Sequence, residues 1–386
     1  MVSMLAPSGA DRKAVDCIES TALSVRLHKG RDAVLSAIDG AGADVASTAF
    51  QSLSWLNALF AELLPVAAAQ PILVDVRTAG GSLVLMLPLV ATHERGLSVL
   101  RVPSFGVSDY GGPILGPAAA TSGDIWSAIK RALSSHDLIV LENMPSVIRG
   151  RANPLVAAPG TFPSEHHRNA LTLPGSVDEF LRALGKKYRK EVERCGRLLA
   201  ERGEPAFNRA ETADDIAAAY AVLEQQQAER RHEAGGDYLL ERPAYSRFYK
   251  TLLANGRTSG TAHIFTLSAG GEIGACLLGI TNGGTFKLLR ISTAGGDWKR
   301  ISPGRLVVVE AMRYFVPRGV RRFDMGIGDY PFKQGFGIEP EPLVTLESAL
   351  TAKAWPHLAM SRARRRLRDI EPLRRAVRRL KGHAPG

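Results

Sequence analysis

The stretch Trp298–Gly337, WKRISPGRLVVVEAMRYFVPRGVRRFDMGIGDYPFKQGFG, decides how this 386-residue chain is read. It holds several signals in a fixed order. A basic turn, Lys299 to Arg305, runs through Ser302-Pro303-Gly304 into an apolar-periodic helix, Leu306 to Phe315. Ser302 is a candidate N-cap, with Pro303 at the first helical position, where its missing N–H is harmless. Arg321 to Met325 has the pattern of a strand, and Gly326-Ile327-Gly328 then turns into the aromatic segment Tyr330 to Phe336. Just ahead of the whole stretch, Gly284 to Ser292 (GTFKLLRIS) also reads as a strand. A strand feeding a basic, glycine-bearing helix start is a sound phosphate cradle. Unpaired N–H groups, the positive end of the helix dipole and Arg300 or Arg305 can all face one anion.

Working outward, the length suits two domains of ordinary size, and 45% hydrophobic residues can supply both cores. The apolar runs, such as Leu83 to Val90, fall far short of a bilayer span. Met1 to Ala14 has no apolar core of signal-peptide length, so a cytoplasmic protein is expected. Cys17, Cys195 and Cys276 are widely separated, which fits a reducing compartment and shows no metal-ligand spacing; no metal is expected. The net charge of +11 is uneven. Arg362 to Lys381 carries ten Lys/Arg against two acids, a net +8, so the body is only +3. That distribution argues against a uniformly basic nucleic-acid-binding domain. Within the tail, Leu367, Ile370, Leu373, Val377 and Leu380 recur at helical spacing between arginines, with a break at Pro372. This basic amphipathic pattern suits peripheral contact with the anionic inner face of a membrane, with RNA contact and a disordered solubilising tail as the alternatives.

The chain reads as two similar halves. In the first, a helix (Thr48 to Leu64) precedes strands at Pro71 to Arg77, Ser82 to Thr92 and Leu97 to Val102. A loop containing SDYGGPILG, a helix (Asp124 to Leu133) and a strand (Asp137 to Glu142) follow, and Pro145 to Pro163 reads as a linker. In the second, one long basic helix (Val177 to Arg202), a short strand (Pro205 to Arg209) and two further helices precede three strands, ending at Ile291. The expected division is 1–150 as a first domain, 151–175 as linker and first strand, 176–355 as a second domain and 356–386 as the tail.

The order strand, basic glycine turn, helix, strand, aromatic segment resembles the cofactor half of the GNAT acyltransferases. The run SPG, the strand end FDMGIGD and the finish KQGFG resemble more closely the tandem-domain CelD-like acyltransferases of cellulose and polysaccharide biosynthesis, relatives of the FemABX aminoacyl transferases. The resemblance covers about Ala170 to Thr351. It implies an α/β (α+β layered) fold of two tandem GNAT-like domains with mixed, mostly antiparallel central sheets. The first domain lacks a basic loop and would shape the acceptor site, while the second would bind acetyl-CoA or another acyl-CoA. The implied activity is acyl transfer to the amine or hydroxyl of a sugar, polysaccharide precursor or envelope metabolite. An aminoacyl-tRNA-dependent transferase and a non-catalytic membrane-associated accessory protein are the alternatives.

Acyl transfer needs a fixed thioester carbonyl, donors for the developing oxyanion and a base for the acceptor proton. The resemblance assigns cofactor contacts to the strand at Leu289 and Ile291 and to Arg300, Ser302, Gly304 and Arg305. Asp324, then Asp329, at the carboxyl end of the Arg321–Met325 strand, are the candidate base or acceptor-orienting carboxylates. Lys333 resembles the FemABX lysine near the reacting carbonyl, and Tyr330 the tyrosine acid of many GNAT enzymes. Asp109 and Tyr110, in the first half's loop, are candidate acceptor contacts.

Overall fold

The computed structural model describes residues 23–119, 124–235, 237–328, 330, 333 and 335–369. The first half runs β1 (Leu23–Lys29), α1 (Arg31–Asp39), α2 (Leu53–Glu62), α3 (Leu64–Ala67), β2 (Gln70–Thr78), β3 (Leu83–Glu94) and β4 (Leu97–Arg101). It continues through β5 (Ile114–Leu115), α4 (Ile125–Ala132) and β6 (Leu138–Pro145). A two-stranded hairpin, β7 (Val147–Ile148) and β8 (Arg151–Ala152), lies in the stretch Pro145–Pro163 expected to be a linker, and the long strand β9 (Thr161–Thr172) begins at its end. The second half repeats the plan: α5 (Val177–Ala183), α6 (Lys186–Glu201), β10 (Ala206–Arg209), α7 (Ala213–Glu233), α8 (Pro243–Ser259), β11 (Ala262–Ala269), β12 (Glu272–Asn282) and β13 (Thr285–Thr293). Then come α9 (Trp298–Ile301), α10 (Pro303–Phe315), β14 (Arg322–Asp324), β15 (Glu339–Ala349) and α11 (Trp355–Asp369).

Local chemistry explains most of these boundaries. Ser52 caps α2 by accepting from the Trp55 N–H, and its Trp55, Leu56, Leu59 and Phe60 recur at helical spacing and are buried. A capping box of Thr212 and Asp215 starts α7. The basic helix expected over 177–202 is two helices, because Gly185 takes φ +88, a left-handed conformation that interrupts the helix.

The strands join into one sheet in the order β1-β2-β3-β4-β6-β15-β9-β14-β13-β12-β11-β10, with β5 pairing β3. It is antiparallel except at two equivalent places, β4 with β6 and β13 with β14. Thus each half has four antiparallel strands, a helix, and a fifth strand parallel to the fourth. The halves then exchange strands. β9, which follows the first half, pairs with β14 of the second, while β15, from the end of the second, pairs with β6 of the first. β9 and β15 pair with each other at the seam. The expected pair of sheets is therefore a single continuous one, because each half completes the other's edge.

Both parallel pairs are short, and beyond them the strands splay. In the first half the splay is sealed by the chain's own loop. The Gly111 N–H donates to the Glu142 carbonyl at 3.1 Å. A Cβ at Gly111 would lie 2.5 Å from that oxygen and 2.7 Å from Val102 Cγ1. In the second half, β13 pairs β14 only over Thr285 to Lys287. After Asp324 the chain stays with β9 instead: Met325 N–H donates to the Asn169 carbonyl at 2.8 Å, and Asn169 N–H to the Gly326 carbonyl at 3.1 Å. Among the described residues the rest of β13 has no strand partner on that side, and a register shift against β12 leaves Leu289 as an extra residue. The first seal makes a prediction. Gly111→Ala should overpack the loop and destabilise the fold by about 1–3 kcal/mol. Denaturant melts should show a lower midpoint at unchanged slope.

Candidate active site

Three strands and one loop converge on a buried knot of charge at the seam. Asp324 ends β14, Lys287 lies beside it on β13 in direct register, and Arg168 comes from β9. Tyr110 and Asp109 arrive on the loop that seals the first half. Asp324 is 1% exposed and Lys287 2%. The Lys287 ammonium donates to Asp109 Oδ2 at 2.6 Å and to Asp324 Oδ1 at 3.2 Å. Arg168 Nε donates to Asp324 Oδ2 at 2.6 Å, and the Tyr110 hydroxyl and Gly326 N–H donate to Oδ1, each at 2.8 Å. The ammonium also sits 4.8 Å from the Tyr110 ring centroid and 5.4 Å from that of Phe50.

The electrostatics follow from these partners. Burial alone would raise the Asp324 pKa, but Lys287, Arg168, the Gly326 N–H and the Tyr110 hydroxyl hold it at about 2. Burial, reinforced by the Asp324 and Asp109 charges, pushes the Tyr110 phenol well above its ordinary value, so it remains a donor. The knot floors a cleft of about 370 Å³ lined by Phe50, Tyr110, Arg149, Arg168, Lys287 and Asp324 among others. Arg322 and Glu341, an ion pair, stand in its wall, with Arg168 Nη1 3.9 Å from Glu341.

A second cleft, of about 540 Å³, lies at the far end of β13 against the start of α10. Gln226, Thr293, Lys299, Ser302, Gly304 and Arg305 contribute to its lining. Six residue steps of extended strand, about 20 Å, lead from Lys287 to Thr293.

The sequence-predicted residues divide between these places. Asp109, Tyr110 and Asp324 meet in the knot, and Ser302, Gly304 and Arg305 line the second cleft. Leu289 and Ile291 lie on the stretch of β13 beyond Lys287, where the Ile291 carbonyl accepts from Gln227 Nε2 at 2.8 Å. Ser302 precedes α10 but does not cap it: at φ +53 its side chain makes no capping bond. Arg300 does not line the cleft; its side chain is exposed, and its carbonyl accepts from Arg194 at 3.4 Å. Lys299, passed over in sequence, lines the cleft in its place. Arg305 is partly engaged, 3.3 Å from Glu191 and over the Tyr188 ring. Lys333 is not aimed at the knot. Its ammonium is buried against the carbonyls of Gly326, Ile327 and Gly328 at 3.3, 3.0 and 2.6 Å, which clamps the turn after β14. Tyr330 is 56% exposed and lines neither cleft. Asp329 lies outside the described residues. Lys287 and Arg168 were not singled out in the sequence; a lysine inside the apolar run GTFKLLRIS was the available signal.

A mostly antiparallel sheet that splays between a fourth and a parallel fifth strand, with a glycine-bearing helix start at the mouth, is the GNAT acyltransferase fold. Residues 186–334, within the second half, match the model of the acetyltransferase (GNAT) domain. Among solved structures, FemX superposes with a TM-score of 0.53 at 11% identity, over 82% of this chain and 96% of FemX. A conserved protein of unknown function from Bacteroides thetaiotaomicron VPI-5482 gives 0.52 at 11% identity, over 82% and 97%. Both likenesses span the two halves and concern the fold alone. No curated protein matches the sequence.

The knot predicts a pH signature. Asp324 is below its unfolded pKa of about 3.9, so its stabilisation is complete above about pH 4 and is lost as pH falls toward 2. Asp324→Asn leaves Lys287 and Arg168 short of countercharge and should cost on the order of 3 kcal/mol at pH 7. Denaturant melts between pH 7 and 3 should show the difference between wild type and Asp324→Asn shrinking as the pH drops. A constant difference would remove the charge from the explanation.

Proposed function

We propose that the protein is an acyl-CoA-dependent N- or O-acyltransferase whose second half holds the donor and whose seam cleft holds the acceptor. The observation that carries this is the asymmetry of the two splays. One is filled by the Gly111 loop; in the other, the β14-facing side of β13 beyond Lys287 has no strand partner among the described residues, and the strand leads to the α10 start. The pantetheine arm would pair with Leu289 and Ile291, its diphosphate would rest at Ser302–Gly304 with Lys299 and Arg305, and its thioester would reach the splay apex beside Lys287. The acceptor nitrogen or oxygen then bonds to the acyl carbon as the C–S bond breaks, and CoA leaves as the thiol after the acceptor's proton is passed on. Asp324 orients the site and does not act as the base, because a carboxylate of pKa about 2 with four donors has little affinity for a proton. Lys287, at the apex, is the cation nearest the place where an oxyanion would develop.

The resemblance to CelD-like proteins supports a sugar, polysaccharide precursor or envelope metabolite as acceptor. Acetyl-CoA should raise the Tm in proportion to the logarithm of its concentration, with no comparable rise from aminoacyl-tRNA. Lys299→Glu should weaken acetyl-CoA binding about tenfold in calorimetry while leaving the melting temperature of the free protein within a degree or two. Stabilisation by charged tRNA alone would favour the aminoacyl alternative, and stabilisation by neither ligand would support the accessory role.

Peripheral membrane contact is a further part of the proposal. No helix among the described residues is long and apolar enough to cross a membrane. α11 docks through Leu358, Ser361 and Arg365, the last two bonding the buried Glu347 at 2.7 and 2.6 Å. That leaves Trp355, Met360 and Leu367 exposed beside Arg364 and Arg366. The tail beyond Asp369 lies outside the described residues. Sedimentation with anionic vesicles should be lost on removing residues after Asp369 and reversed by salt, since such attraction is screened within about 8 Å at physiological ionic strength. Vesicle binding unaffected by both changes would rule the contact out.

A further inference from the structure

Two cations of the seam cleft lie outside the charge knot: Arg322, which pairs with Glu341, and Arg149. Arg149 sits at the tip of the β7–β8 hairpin, where Ile148 pairs with Arg151 and Arg149-Gly150 form a two-residue loop. Both loop residues have positive φ, +47 and +81, as a type I′ turn requires. Glycine and asparagine suit the first of these positions; an arginine there is strained, and strain of this kind is retained where the side chain is needed. The hairpin is held rigidly. Arg151 donates to the carbonyls of Asp44 and Leu115, each at 3.1 Å, and pairs with the Asp44 carboxylate.

The guanidinium of Arg149 reaches across the seam onto the turn between β12 and β13. A Cβ at Gly283 would lie 2.1 Å from Arg149 Cζ, so the glycine leaves room for it. Arg149 Nη1 donates to the Val45 carbonyl at 3.2 Å. Arg168, Arg322 and Lys287 all have carboxylate partners; Arg149 has none among the described residues. A planar, permanently charged fork in a cleft wall suits a phosphate or carboxylate.

We propose that Arg149 binds an oxyanion group of the acceptor, a phosphate or a carboxylate, at the mouth of the seam cleft, so that the acceptor is an anionic small molecule. This rests on the seam cleft being the acceptor site. Arg149→Asn tests it directly, because asparagine is favoured in the turn and the fold is not put at risk. Inorganic pyrophosphate and citrate are titrated calorimetrically into the full chain, its Arg149→Asn variant and its Lys299→Glu variant. Arg149→Asn should weaken the preferred anion at least tenfold, and Lys299→Glu should leave an Arg149-dependent binding event in place. Gly283→Ala, which displaces the guanidinium without removing its charge, should weaken the same event. Preference for pyrophosphate assigns a phosphate, and preference for citrate a carboxylate. Equal binding by wild type and Arg149→Asn, or no binding of either anion to wild type, would overturn the proposal. Acetyl-CoA titrated into the same proteins reports separately on the donor reading: loss of CoA binding with the Arg149 event intact would sink the donor site alone.

Discussion

The rest of the molecule is arranged around one buried contact, the Lys287 ammonium against the Asp324 carboxylate. Two ions at 1–2% exposure carry a desolvation cost of several kcal/mol each, and their attraction offsets it only with good geometry and full hydrogen bonding. Arg168, Tyr110, Asp109 and the Gly326 N–H supply that satisfaction, and they come from three separate parts of the chain. The knot therefore needs the strand exchange, since Arg168 on β9 reaches Asp324 only because β9 has crossed to the second half. It also needs the sealing loop, which delivers Asp109 and Tyr110. Such a contact is a weak source of net stability. Its effect is to penalise any arrangement in which the halves are misaligned.

The duplicated halves have opposite fates for the same structural feature. A parallel pair of only three residues leaves a wedge beyond it in each. In the first half, backbone atoms of residues near Gly111 occupy the wedge, and the loop that does so carries side chains toward the other half. In the second, the turn after β14 is held away from β13 by Asn169 and by the Lys333 clamp on three carbonyls. One copy thus becomes part of a wall, while the other leaves one side of β13 without a strand partner among the described residues.

Much of the scaffold was legible in the sequence because its signals are local. The helical pattern of α2 and the Ser-Pro-Gly start of α10 depend on neighbours a few residues away. The Gly326–Gly328 turn likewise marked Asp324. What was not legible depends on pairing across long distances. The stretch Pro145 to Pro163 reads as linker by composition, yet it holds the β7–β8 hairpin and the start of β9, whose partners lie in β14 and β15. Arg168 meets Asp324 across 156 residues, and no local pattern reports that. Lys333 misled for the converse reason: a lysine near a glycine turn can face the site or brace the turn, and only the carbonyl positions decide.

Whether a donor lies along β13 is read most directly by hydrogen exchange of the full chain with and without acetyl-CoA. A donor lying in the open splay should slow exchange of the amides at Leu288 to Thr293 and at the start of α10. Amides of the Gly111 loop and β6 should be unchanged, because that wedge is already filled. Protection in the first half's wedge, or no protection along β13 at saturating ligand, would contradict that placement.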